Sequence, residues 1–98
     1  MKPSDPPVPA VHHDIAAQRF EIRLGEHRSE LAYVIDGERV VFTHTFVPPE
    51  LRGRGVAERL VRTALDWARQ ERKRVVPACS YVAKFIERHQ EYRDLVAK

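Results

Sequence analysis

An α+β domain, a mixed and mostly antiparallel sheet with two helices in the order β-β-β-α-β-α, is predicted by three observations in this 98-residue sequence. Apolar and polar residues alternate along Arg19 to Leu24, turn-forming residues separate three strand-like stretches, and beyond Val56 the apolar period becomes helical.

In the first stretch Phe20, Ile22 and Leu24 alternate with Arg19, Glu21 and Arg23, so the apolar set is expected to form the buried face. Gly25-Glu26-His27-Arg28 then turns the chain into Ser29 to Ile35. Asp36-Gly37, suited to the positive φ of a tight hairpin, leads into Glu38 to Val47. β-branched and aromatic residues fill this third stretch, and Pro48-Pro49 ends it because proline has no amide hydrogen for a ladder. From Val56 to about Arg72, the residues Val56, Leu60, Val61, Ala64, Leu65 and Ala68 share one helical face. Arg74 to Ala78 reads as a short strand, expected to lie parallel to the third through a right-handed crossover. A second helix runs from Ser80 to His89 with Val82, Phe85 and Ile86 inward. Residues 1–10 carry four prolines and little to bury, which predicts a flexible tail and leaves 11–98 as a single domain.

Apolar residues at 43% and charged residues at 32% fit a globular chain rather than a disordered one. The sequence has no apolar run long enough to span a membrane, and Met1 to Pro7 lack the apolar stretch of a secretory signal. The single Cys79 makes no internal disulfide, so a cytoplasmic protein that does not engage membranes is expected. The histidines show no metal-ligand spacing, and no metal is expected. A formal charge of +3 favours anionic partners without choosing among them, and nothing in the sequence sets the oligomeric state.

Between the third strand and the first helix lies Pro48-Pro49-Glu50-Leu51-Arg52-Gly53-Arg54-Gly55-Val56-Ala57. First-turn amides of a helix have no intrahelical partners, and the helix dipole adds partial positive charge there. Glycines allow close approach of an anion, and arginines supply charged donors. Together these point to a bound phosphate or pyrophosphate; the alternative is that Arg52 and Arg54 are solvated and the glycines serve only the turn.

Arg52-Gly53-Arg54-Gly55-Val56-Ala57 resembles the Q/R-x-x-G-x-G/A signature of the GNAT acetyltransferases. His44-Thr45-Phe46-Val47-Pro48 and Pro77-Ala78-Cys79-Ser80-Tyr81-Val82 are similar to the small YjdJ-type N-acetyltransferase-like family, a reduced branch of that superfamily, over roughly Arg19 to Val96. The resemblance implies a minimal GNAT-like fold that binds acetyl-CoA (coenzyme A) and transfers acetyl to an amine acceptor. It assigns Arg52, Gly53, Arg54, Gly55, Val56 and Ala57 to the pyrophosphate, Phe46 and Val47 to the pantetheine arm, and implies that the strands flanking the crossover helix splay apart. The pair of helices that shapes the acceptor pocket in larger GNAT enzymes is absent.

Three residues are candidates for the chemistry. Cys79 closes a strand and opens a helix, where unpaired amides lower a thiol pKa, though a small buried apolar role suits it equally. His44, near the end of the third strand, titrates in the range of a general base, or else is a structural strand residue. A base is needed because freeing the lone pair of a lysine-like amine of pKa about 10.4 at pH 7 costs about 4.6 kcal/mol. Tyr81 is a candidate acid toward the departing thiolate, or a packing residue. Lys84 and Arg88 either reach the cofactor's adenosine phosphates or form a solvated face. Two other readings remain, a non-catalytic acyl-CoA-binding protein and a basic nucleic-acid or protein binding module built on Arg52, Arg54, Arg59, Arg62, Arg69, Arg72, Lys73 and Arg74. Against the second stand the interrupting Glu58, Asp66 and Glu71 and the lack of a recognition motif.

Overall fold

The computed structural model describes residues 8–98, which form a sheet of five strands lying side by side in chain order. These are β1 (His12–Asp14), β2 (Arg19–Leu24), β3 (His27–Asp36), β4 (Arg39–Phe46) and β5 (Arg74–Pro77). β1 to β4 pair antiparallel, and β5 joins β4 in parallel. Helix α1 (Val56–Gln70) makes the crossover, α2 (Ser80–Arg88) follows β5, and 3-10 helices occupy Pro49–Leu51 and Gln90–Leu95.

The α+β class and the element order from Arg19 to Arg88 are as the sequence implies, and β1 and the C-terminal 3-10 helix are additions. β1 consists of three polar residues with no alternation to read. Its position is secured from elsewhere in the chain: the His13 ring stacks on Phe20 at 3.9 Å, and its Nε2 lies 2.7 Å from the Tyr33 hydroxyl. The tail expectation falls partly on Met1–Pro7, outside the described residues. Val8 packs against the core, and Arg59 Nη1 donates to the Val8 carbonyl at 3.0 Å.

One hydrophobic cluster unites the sheet with α1, α2 and the C-terminal 3-10 helix. Phe20, Ile22, Leu31, Tyr33, Val40 and Phe42 are buried on the sheet face toward Leu60, Val61, Ala64 and Leu65 of α1. Burial of each such side chain contributes roughly 1.5–3 kcal/mol, so this cluster dominates stability. Leu24, expected inward, is only half-buried at the end of its strand. Glu21, expected outward, is 4% exposed, because Arg19 Nε and Arg23 Nε each donate to its carboxylate at 3.1 Å. The C-terminal segment is tied to α1 by Arg69, which grips both Asp94 oxygens at 2.9 and 3.0 Å, and by the Tyr92 hydroxyl, which donates to Asp66 at 2.8 Å.

One irregularity shapes the end of β4. Phe42 pairs with Tyr33 but His44 pairs with Ala32, so Thr43 is an extra residue bulged out of the ladder. A bulge reverses the inside-outside parity of everything beyond it. Thr45, opposite the buried Leu31, therefore faces the helices, and His44 turns to the reverse face of the sheet.

Candidate active site

Pairing of β4 with β5 stops at Phe42 and Pro77, beyond which the Cys79 amide still donates to the Phe42 carbonyl at 2.9 Å. The two strands then part, the opening that the family resemblance implies. β4 runs on to Phe46 while the other chain turns into α2 at Cys79, its N-cap. A cavity of about 430 Å³ lies at this opening, bounded by Thr45, Phe46 and Val47 on one side, Leu51 to Gly53 and Gly55 to Glu58 along the loop and helix entry, and Tyr81.

The loop has a conformation that only glycine adopts easily. Gly53 and Gly55 sit at φ +81 and +73, and a Cβ built on either meets nothing within 4 Å. These glycines thus serve the backbone and the open space above it, not a tight packing contact. Gly55 is the N-cap of α1, and no side chain caps this helix. Gly55, Val56, Ala57 and Glu58 line the cavity, and their amides, at the start of the helix, have no intrahelical partner. Arg52 bends back so that its Nε donates to the Val47 carbonyl at 3.1 Å, bracing the loop against the end of β4. Arg54 Nη1 is buried without a hydrogen-bond partner among the described residues.

Of the candidate residues, Phe46, Val47, Arg52, Gly53, Gly55, Val56, Ala57 and Tyr81 all line this one cavity. Arg54 lies in the same loop but off the wall. Cys79 stands behind Thr45, its Sγ 3.3 Å from Thr45 Oγ1. Burial raises the Cys79 pKa, but hydrogen bonds from the Thr45 hydroxyl and the backbone of Val82 and Tyr81 outweigh it and hold the thiol below its ordinary value. Tyr81 is moved the other way, chiefly by burial and then by Glu58, against a smaller opposing effect of Arg88. It stays a protonated phenol, able to donate.

His44 is not on the cavity wall. The bulge sends it to the reverse face of the sheet, 56% exposed, with Nε2 3.8 Å from Glu30. Glu30 in turn accepts from Arg28 at 3.0 Å. Thr45 and Glu58 also line the cavity, and sequence reasoning gave neither a place in it. Thr45 stood inside the quoted strand-end segment, but its inward orientation depends on the bulge.

The arginines of the conjectured basic stripe are largely engaged within the molecule. Arg59 holds Val8 and Pro9, Arg62 meets Glu58 at 3.3 Å, Arg69 grips Asp94, and Arg74 donates to the Val96 carbonyl. No helix among the described residues is long and apolar enough to cross a membrane.

The chain belongs to the GCN5-related N-acetyl-transferase family, whose pattern it matches over residues 19–95. Among its relatives are the proteins named NATD1. The one from Bos taurus is 41% identical over 80 residues, covering 79% of this chain and 71% of its own. The one from Homo sapiens is 39% identical over the same shares, and that from Danio rerio 34% identical over 88% of this chain and 83% of its own. The solution structure of a GCN5-like protein from Staphylococcus aureus superposes with a TM-score of 0.71 at 24% identity, covering 89% of this chain and 86% of that one, and so shares the fold.

Proposed function

We propose that this protein binds acetyl-CoA in the cavity at the β4–β5 opening and transfers the acetyl group to an amine acceptor. The observation that carries this reading is the first turn of α1: residues whose amides lack an intrahelical partner, entered through two left-handed glycines, line a cavity of about 430 Å³. The open space over Gly53 and Gly55, where a built Cβ meets nothing within 4 Å, supports the fit of a diphosphate.

In this reading the pyrophosphate rests on Gly53 to Ala57, and the pantetheine arm follows Phe46 and Val47 into the opening, which brings the thioester toward Thr45, Cys79 and Tyr81. The thioester supplies an activated acetyl carbon. In direct transfer the acceptor nitrogen attacks that carbon, the C–N bond forms, the C–S bond breaks, Tyr81 gives its proton to the departing thiolate, and the proton released by the nitrogen returns to the Tyr81 phenolate through water. In a two-step route the Cys79 thiolate attacks the acetyl carbon and the CoA thiolate leaves; the amine then attacks acetyl-Cys79, its C–S bond breaks, and the released proton returns to the Cys79 sulfur or to water. The lowered pKa of Cys79 supports the second route. His44 is suited to accept the amine proton only from an acceptor that approaches the sheet from the reverse face, where Glu30 stands beside it.

Incubation with acetyl-CoA, with and without a panel of amines, tests the reading. Turnover with an amine is the expected result. Binding of the cofactor without transfer to any amine would leave an acyl-CoA-binding protein instead. Mass spectrometry without acceptor separates the routes, since a covalent acetyl on Cys79 is expected only for two steps.

A further inference from the structure

A second cavity, of about 150 Å³, lies between α1 and α2 and shares Glu58 and Tyr81 with the first, so the two adjoin beside the first turn of α1. Its other walls are Lys84, Phe85, Arg88 and His89. Lys84 and Arg88 are exposed and one helical turn apart, a spacing at which like charges repel. Neither takes part in an ion pair or a side-chain hydrogen bond among the described residues, in contrast to Arg59, Arg62, Arg69, Arg74 and Arg93, which all do. The one carboxylate on the wall, Glu58, is held by Arg62 at 3.3 Å. Among the described residues no ion pair offsets the mutual repulsion of Lys84 and Arg88, and their charge is concentrated at this second cavity.

We propose that Lys84 and Arg88 bind the ribose 3′-phosphate of the CoA nucleotide and make the site selective for the phosphorylated form of the cofactor. This rests on the reading above, in which the diphosphate is held by the loop. A phosphate monoester carries nearly two negative charges at pH 7 and three acceptor oxygens, and two cations about 6 Å apart along the helix axis match it as a single carboxylate or a diester does not. Binding relieves the repulsion between the two side chains, so the interaction favours the dianion over a neutral hydroxyl at the same place.

Calorimetric titration with CoA and with 3′-dephospho-CoA, on the wild type, Lys84→Ala, Arg88→Ala and the double variant, tests this. The expected wild-type result is a preference for CoA on the order of tenfold or more, as two charge-assisted contacts imply. Each single variant reduces the preference and the double variant abolishes it, with affinity for 3′-dephospho-CoA unchanged. Because both side chains are exposed, the thermal midpoint of the variants is expected to match the wild type. Equal wild-type affinity for the two ligands, or variants that lose both equally, overturns the phosphate subsite while leaving the cofactor reading intact. Failure of the wild type to bind either ligand overturns both.

Discussion

Replacing Gly55 by alanine separates the cost of backbone strain from the cost of a lost binding site. The residue has φ +73, and its Cβ meets nothing within 4 Å, so the folded state suffers no clash. What remains is the left-handed conformation, roughly 1–2 kcal/mol for a residue with a Cβ. Loss of unfolded-state freedom on replacing glycine returns about 0.4–1 kcal/mol. The net loss is about 1 kcal/mol, which for a domain of this size lowers the thermal midpoint by about 4–8 °C. Gly37 is the natural control: φ +59, again with nothing within 4 Å, but at the β3–β4 hairpin far from the loop. Thermal denaturation and CoA titration of Gly55→Ala and Gly37→Ala are expected to show similar midpoint losses, with weakened CoA binding only for Gly55→Ala. The reasoning is refuted if both variants bind CoA like the wild type, or if Gly55→Ala loses far more stability than Gly37→Ala.

Thr45→Val removes a hydrogen bond that lowers the Cys79 pKa, so alkylation of the thiol by iodoacetamide at neutral pH should slow, and an unchanged rate would detach Thr45 from the thiol. Burial, and then the charge of His12 against a smaller effect of Asp14, holds His13 below its ordinary 6.5 in the fold. The unfolded chain then binds the extra proton first, so the contribution is fully present above pH 6.5 and is lost as pH falls through the folded value. The thermal midpoint should drop on acidification through that window, and less so in His13→Gln. Leu60→Ala, at a fully buried position, should cost about 2–5 kcal/mol by chemical denaturation. Tyr92→Phe, which leaves Asp66 without its donor, should cost about 1 kcal/mol by the same measurement.

Much of this molecule is legible in the sequence because its signals are local. Phe20 and Ile22 announce their face by alternation, Asp36-Gly37 by its turn chemistry, and Arg52 to Ala57 by glycines set between a strand and a helix. What escaped depends on side-chain contacts that no periodicity encodes. β1 exists because His13 finds Phe20 and Tyr33, and Glu21 is buried because Arg19, Arg23 and Arg28 converge on it. The bulge at Thr43 has the largest consequence. Counted from Phe42 by simple alternation, His44 faces the helices and Thr45 faces away, and one extra residue exchanges them. Cys79 therefore meets a threonine hydroxyl instead of an imidazole, and the histidine is left on the opposite side of the sheet beside Glu30.

Amide chemical shifts followed during titration with CoA address the phosphate grip most directly. The account predicts that the largest changes fall on Gly53 to Glu58, with smaller ones along Phe46 and Val47. Changes centred on the reverse sheet face, or none at saturating ligand, would contradict it.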